Sequence, residues 1–328
     1  MPEYSLADFC PPRLLKGAHL QSALASLPLR QRGVEDRAAP HLSGSDPEIL
    51  DCGGGVRLLV EHTPPAEEGS GRLAVLIHGW VGSTRSMYMV SAAGRLARGG
   101  FRVVRLNLRD HGESHHLNPE LFHSCRLEEV LNAVGVLHRR FPRERLYLGG
   151  FSLGGNFALR IAALAPAAGI RIEQVAAVCP VLDPRATMTA LDHGLLHYRL
   201  YFIRKWRRSL ELKREAFPAL YDFGELERFR TLRGMTDYFV CNYTGFPDLE
   251  TYLRGYAVTG DRLAGLKVPT EILLADDDPV IPIRDVAGLA RTPALTVRRS
   301  RYGDHCGFIA NYRLATWLDE YVARVFMG

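Results

Sequence analysis

From about residue 48 onward, short continuous apolar runs alternate with stretches whose apolar positions recur three and four apart. The first pattern predicts strands buried on both faces, the second amphipathic helices. Glu48–Cys52 and Val56–Thr63 flank Gly53-Gly54-Gly55 and predict a β-hairpin. Strands are predicted at Leu73–Ile77, Phe101–Leu108, Leu146–Phe151 and Val175–Leu182, then at Glu271–Ala275 and Leu295–Val297. Helices are predicted at Met87–Arg98, which Gly99-Gly100 stops, at Leu127–Arg140 and at Leu153–Leu164. A last helix is expected over Tyr312–Phe326. From Pro184 to Leu263 no strand pattern occurs, and the segment is rich in aromatic and basic residues.

Strand–helix alternation predicts an α/β fold: a mostly parallel central sheet with helices on both faces. The expected organisation is a core of residues 48–183 and 264–328, with a helical lid or cap, 184–263, inserted before the last two strands. Residues 1–47, which contain Pro11-Pro12, are expected to pack on the core as an irregular arm.

The composition fits this picture. Of 328 residues, 47% are hydrophobic and 23% charged, which excludes disorder and collagen-like chains. A net charge of +5 is too mild for a nucleic-acid partner. The start, Met1-Pro2-Glu3-Tyr4-Ser5-Leu6-Ala7-Asp8, lacks the pattern of an export leader, and no apolar run is long enough to span a membrane. The expected location is therefore cytoplasmic, with membrane association as an alternative. Cys10, Cys52, Cys125, Cys179, Cys241 and Cys306 are scattered without a C-x-x-C pair. They are expected to be reduced thiols, with no metal and no cofactor.

Gly150-Phe151-Ser152-Leu153-Gly154-Gly155-Asn156 carries the clearest chemistry. An apolar strand enters the G-x-S-x-G motif and a helical pattern leaves it. Small residues at Gly150 and Gly154 permit the tight turn that lifts a serine hydroxyl off a strand end. Ser152 is the expected nucleophile, at a helix N-terminus that favours a developing anion. A serine hydroxyl needs a base, and the base needs an orienting acid. Downstream, Asp276-Asp277-Asp278 ends a strand. Asp278, directly before Pro279-Val280-Ile281-Pro282, is the first choice for the acid, and Asp277 the second. His305, on the loop between the last strand and the last helix, is the expected base. The backbone N–H groups of Leu153 and Trp80, the latter in Ile77-His78-Gly79-Trp80, are the expected oxyanion donors. Asn107–His116 holds three histidines near acids, but without metal-ligand spacing it is expected to be a structural loop.

In its elbow, its oxyanion loop and the order Ser–Asp–His, the chain resembles the α/β-hydrolase superfamily. Pro12, Leu14, His19, Leu20, Gln21 and Ser22, together with Ser152-Leu153-Gly154-Gly155-Asn156, resemble the YheT-like branch of serine esterases. So do Phe229–Arg233 with Asp237, Tyr243–Phe246 and Tyr252, which are similar to its lid. The resemblance implies a serine esterase of the carboxylesterase type, with a small-molecule ester as substrate. Short- to medium-chain acyl esters are the usual test substrates, and lipid esters are included. Asp304 before His305 departs from that branch's Gly-Gly-His. An acyltransferase or thioesterase would use the same triad, and a non-catalytic lipid- or partner-binding relative is the remaining alternative.

The charge is concentrated. Residues 199–214 carry seven basic residues against Glu211, a net +6, so the other 312 residues sum to −1. Leu196, Leu200, Ile203, Trp206 and Leu210 recur at near-helical spacing, which predicts a basic amphipathic lid helix. Such a helix could contact anionic lipid peripherally.

Overall fold

The computed structural model describes residues 5–6, 8–65, 71–224 and 226–328. Met1–Tyr4 and Ala7, part of the start judged for an export leader, lie outside the described residues. The strands are β1 (Ser5–Leu6), β2 (Asp46–Asp51), β3 (Arg57–Thr63), β4 (Arg72–Ile77), β5 (Arg102–Leu106), β6 (Arg145–Phe151), β7 (Ile172–Val178), β8 (Thr270–Ala275) and β9 (Leu295–Ser300). Among the described residues they form one sheet in the order β1-β9-β8-β7-β6-β4-β5-β3-β2. The β2–β3 and β3–β5 pairings are antiparallel and the others parallel.

The helices are α1 (Ala18–Ala25), α2 (Pro28–Leu42), α3 (Met87–Arg98), α4 (Leu127–Arg140), α5 (Leu153–Leu164), α6 (Pro184–His193), α7 (Leu196–Ala216), α8 (Leu232–Tyr243), α9 (Leu249–Tyr256) and α10 (Leu318–Met327). Strand side chains alternate between faces. Leu73, Val75 and Ile77 of β4 join a core that includes α4, α5 and the 184–263 helices. Ala74 and Leu76 join a second core with α3 and α10. A continuous apolar strand is therefore the expected sequence for β4, because both of its faces are covered.

Three expectations are corrected. The arm before β2 is largely helical. The buried positions of α2 are Arg30, Val34 and Ala38, a stripe one residue wide, and such a stripe is too narrow to show as hydrophobic periodicity. Its packing is close: a Cβ at Gly94 of α3 would lie 2.8 Å from the Ala38 Cβ. Second, β7 ends at Val178 rather than at Leu182, because Cys179 turns to φ +43° ahead of Pro180. Third, the final helix starts at Leu318. The preceding residues fold back instead, with Leu314 at φ +58° and an Ile309–Thr316 bridge.

Between β7 and β8, α6 to α9 pack over the C-terminal ends of the parallel strands. In open α/β sheets those strand ends are where sites form. Among the described residues, no helix is long and apolar enough to cross a membrane.

Candidate active site

The β6–α5 turn is dictated by steric fit. A Cβ at Gly150 would lie 2.2 Å from the Gly154 carbonyl oxygen, and one at Gly154 would lie 2.2 Å from that of Ile77. Glycine alone permits this approach. The turn places Ser152 at φ +53°, ψ −117°, a region that costs a non-glycine residue roughly 1–3 kcal/mol. Hydrogen bonds hold it there: the Ser152 N–H donates to Val178 O at 2.9 Å, and the Asn156 N–H donates to Ser152 O at 3.1 Å. The Asn156 side chain donates to Val181 O and Tyr256 O, tying the elbow to the helices above it.

Three strand ends meet here. His305 Nε2 lies 2.9 Å from Ser152 Oγ, and His305 Nδ1 lies 2.9 Å from Asp278 Oδ2. Nδ1 donates to the carboxylate, so in the neutral ring Nε2 is free to accept from the serine. Asp278 is fixed by the amides of Val280 and Ile281, which donate to its Oδ1 at 2.8 and 2.9 Å. Its side chain is fully buried.

The three adjacent acids have separate roles. Asp276 pairs with Arg299 at 2.8 Å. Asp277 Oδ1 accepts the Asp304 N–H at 2.9 Å. Asp278 alone of the three meets the histidine.

Burial disfavours the His305 imidazolium, but Asp278, Cys306 and Asp304 outweigh it and raise its pKa to about 9. Cys179 and Cys306 sit beside the ring. Burial pushes the Cys179 thiol well up, whereas a hydrogen bond from Cys179, with His305 adding to it, draws the Cys306 thiol down.

Trp80, Ser152 and Leu153 line one apolar cavity of about 110 Å³, roofed by Trp206 and Phe239. Neither the Trp80 nor the Leu153 amide donates to another group among the described residues. Gly79, between His78 and Trp80, is clamped. Its N–H donates to Tyr88 Oη at 2.9 Å. Its carbonyl accepts from His78 Nδ1 at 2.7 Å, while His78 Nε2 accepts the Leu108 N–H at 3.1 Å. Accepting at Nε2 requires the proton on Nδ1, so this ring is neutral. Full burial agrees, lowering its pKa to about 3.

The roles of His78 and Tyr88 were invisible in the sequence. A histidine after a strand and a tyrosine on a helix carry no signal until the fold aims both at one glycine.

The Asn107–His116 loop anchors α7. Asp110 Oδ1 takes the buried Lys213 Nζ at 2.7 Å, Ser209 Oγ donates to Asp110 O, and Arg109 binds Glu129. Lys213 is thus withdrawn from the basic face of the helix. Arg199 and Arg207 also turn inward, to the carbonyls of Asp192 and Phe229. Arg204, Lys205, Arg208 and Arg214 remain exposed.

Comparison with known proteins places this geometry. The model of the alpha/beta hydrolase fold matches residues 74–312. A Saccharomyces cerevisiae protein named monoacylglycerol lipase is 22% identical over 265 residues, covering 77% of this chain and 58% of that protein. A Danio rerio protein named monoacylglycerol lipase ABHD2 is 23% identical over 224 residues, covering 62% of this chain and 53% of that protein. The chain thus spans little more than half the length of these relatives. Among solved structures, the Pyrococcus furiosus esterase Pf2001 aligns over 99% of this chain and 96% of its own, with a TM-score of 0.56 at 13% identity. A Pyrobaculum calidifontis esterase aligns over 96% and 97%, with a TM-score of 0.56 at 14% identity. These two likenesses bear on the fold. With the family model covering most of the chain, from β4 through the loop after His305, the chain belongs to the α/β-hydrolase family.

Proposed function

We propose that this chain is a serine hydrolase of carboxylic esters. One observation carries the reading: the unbroken Ser152–His305–Asp278 hydrogen-bond chain, with two 2.9 Å links, opening on an apolar cavity. His305 Nε2 takes the Ser152 proton as Oγ attacks the ester carbonyl carbon. Asp278 orients the ring and offsets its positive charge. The negative charge on the carbonyl oxygen falls to the Leu153 and Trp80 amides and the α5 N-terminus. Collapse expels the alcohol, which takes its proton from His305 and leaves an acyl-enzyme. Water, deprotonated by the same ring, then releases the acid. No step needs a metal or a cofactor.

The relatives named monoacylglycerol lipase support a lipid ester as substrate. The cavity supports a short acyl group. An apolar cavity of about 150 Å³ holds benzene, so the roughly 110 Å³ here suits a chain of a few carbons. A longer chain requires α7 and α8 to move, which makes 184–263 a lid in this reading.

Fluorophosphonate labelling of the wild type, absent in Ser152→Ala, tests the nucleophile. An unlabelled wild type ends the proposal. A chain-length series of nitrophenyl esters reads the cavity, with turnover expected to fall beyond short chains.

The same reading puts a lipid surface beside the lid. Along one stripe of α7, Leu196 (55% exposed), Leu200 (53%) and Tyr201 (52%) precede the exposed Arg204, Lys205 and Arg208. An apolar tip followed by cations suits an anionic bilayer.

A further inference from the structure

Two cysteines far apart in sequence converge on the candidate base. Cys179 follows β7, and Cys306 follows His305. Cys179 is fully buried, and its N–H donates to Leu273 O at 2.7 Å. Both have left-handed backbones, at φ +43° and +59°. The two sulfurs and a ring nitrogen of His305 all lie within 4.8 Å of one another. Among the described residues, no other group of three or more His, Cys, Asp or Glu side chains meets that geometry.

We propose that Cys179, Cys306 and His305 form a site for a thiophilic divalent cation, Zn²⁺ being the best match, and that the bound metal silences Ser152 by taking its base. The donor set supports the choice. Two thiolates and one imidazole are an N/S set that zinc favours, with a fourth position left for water. Zinc bonds of about 2.3 Å to sulfur and about 2.0 Å to nitrogen place tetrahedral ligand atoms roughly 3.5–3.8 Å apart. The site therefore closes from its present spacing with shifts of about an ångström. Binding releases the two thiol protons and, where the ring is imidazolium, one ring proton to water, and leaves the metal with two Sγ–metal bonds and one N–metal bond.

The consequence for chemistry follows from the ring's two partners. One nitrogen faces Ser152 Oγ and the other Asp278 Oδ2, each at 2.9 Å. Whichever nitrogen ligates, one link of the chain breaks. An ion reaches the site from the side of His305 and Cys306, which are partly exposed while Cys179 is buried. The inhibitory half of this proposal rests on the serine hydrolase reading, and the binding half does not.

The test uses the full chain, kept reduced by a phosphine. Co²⁺ titration should give a thiolate-to-metal charge-transfer band that saturates at one ion per chain, and Zn²⁺ should displace it. Cys179→Ala and Cys306→Ala should each weaken Co²⁺ binding by at least about tenfold, the factor that losing even an outer partner of a ligand costs. Fluorophosphonate labelling of Ser152 is then compared with and without Zn²⁺, each protein against its own metal-free rate. Zn²⁺ should slow the wild type at least tenfold and either variant less than twofold.

Absence of the band overturns the proposal. So does a band that survives in both variants, or equal Zn²⁺ inhibition in both. Loss of two hydrogens on mild peroxide treatment, with no band in the reduced chain, makes the pair a redox couple and also overturns it. A cysteine-dependent band in a chain that is never labelled supports the metal site and rejects the hydrolase reading alone.

Discussion

Ser22, in α1, donates its backbone N–H to Asp304 Oδ2 at 2.8 Å, across 282 positions of sequence. The other oxygen of the same carboxylate accepts the His305 N–H at 2.7 Å. Next to it, the Gln21 side chain accepts the Ile309 N–H at 2.6 Å and donates to Leu15 O at 2.7 Å. The N-terminal arm thus pins the loop that carries the candidate base. Asp304 is the clasp.

Asp304 also adds, after Asp278 and Cys306, to the negative charge around the ring. His305 must be neutral to accept a proton, and its pKa is raised to about 9. Below that value most of the protein carries the imidazolium. The rate kcat/KM should therefore climb about tenfold per pH unit and level off above pH 9. Asp304→Asn removes one of the negative charges that raise the value, so the rise should move to lower pH. A pH–rate profile on a nitrophenyl ester checks both, and an unshifted variant profile would count against the clasp's electrostatic role.

The neighbouring acids separate cleanly. Asp278→Asn should lower kcat by about 10⁴-fold, because the ring loses its orienting acceptor. Asp277→Asn should cost less than about tenfold, since that side chain holds the Asp304 amide and not the ring. Comparable losses from the two variants would sink the assignment of Asp278.

Tyr88→Phe tests the proposed oxyanion role of the Gly79–Trp80 loop. It leaves the buried Gly79 N–H without its acceptor. An unmade buried hydrogen bond costs about 1–3 kcal/mol. If the loop shifts in response, kcat should fall about tenfold or more while KM holds, as measured by steady-state kinetics.

Lys213→Met should destabilise the fold by about 3–5 kcal/mol, because it strands the buried Asp110 carboxylate. Burial already outweighs attraction in this pair. Asp110 is raised to about 6 and Lys213 is lowered. Since the folded pKa of Asp110 lies above its ordinary 3.8, its contribution to stability falls as pH rises from about 4 to 6. The double variant Lys213→Met, Asp110→Asn should regain most of the loss, read as thermal midpoints.

Charge reversal at Arg204, Lys205 and Arg208 should abolish co-sedimentation with anionic vesicles. Leu196→Ser with Leu200→Ser should weaken it at any salt. Binding that ignores lipid charge would reject the electrostatic half of this contact.

The sequence determined what is local. Continuous apolar runs fixed β4 and β6, because a strand covered on both faces leaves no polar position. Helical spacing and Gly99-Gly100 fixed α3, and the glycines at 150 and 154 fixed the elbow, since no other residue fits those contacts. The order of Ser152, Asp278 and His305, after β6, β8 and β9, was legible from the strand pattern.

What depends on approach across the chain was not legible. What Asp276 and Asp277 bind instead, Arg299 and the Asp304 amide, is decided at the end of β8. Seven basic residues read as one charged face, yet the fold buries Lys213 and turns Arg199 and Arg207 inward. Arg30, Val34 and Ala38 are the buried side of α2, and Ala38 lies against Gly94 of α3. Cys179 and Cys306, unremarkable in sequence, become a pair because β7 and the His305 loop end at the same place. Periodicity records which side of an element is buried, and only tertiary packing decides what lies on the other side of the contact.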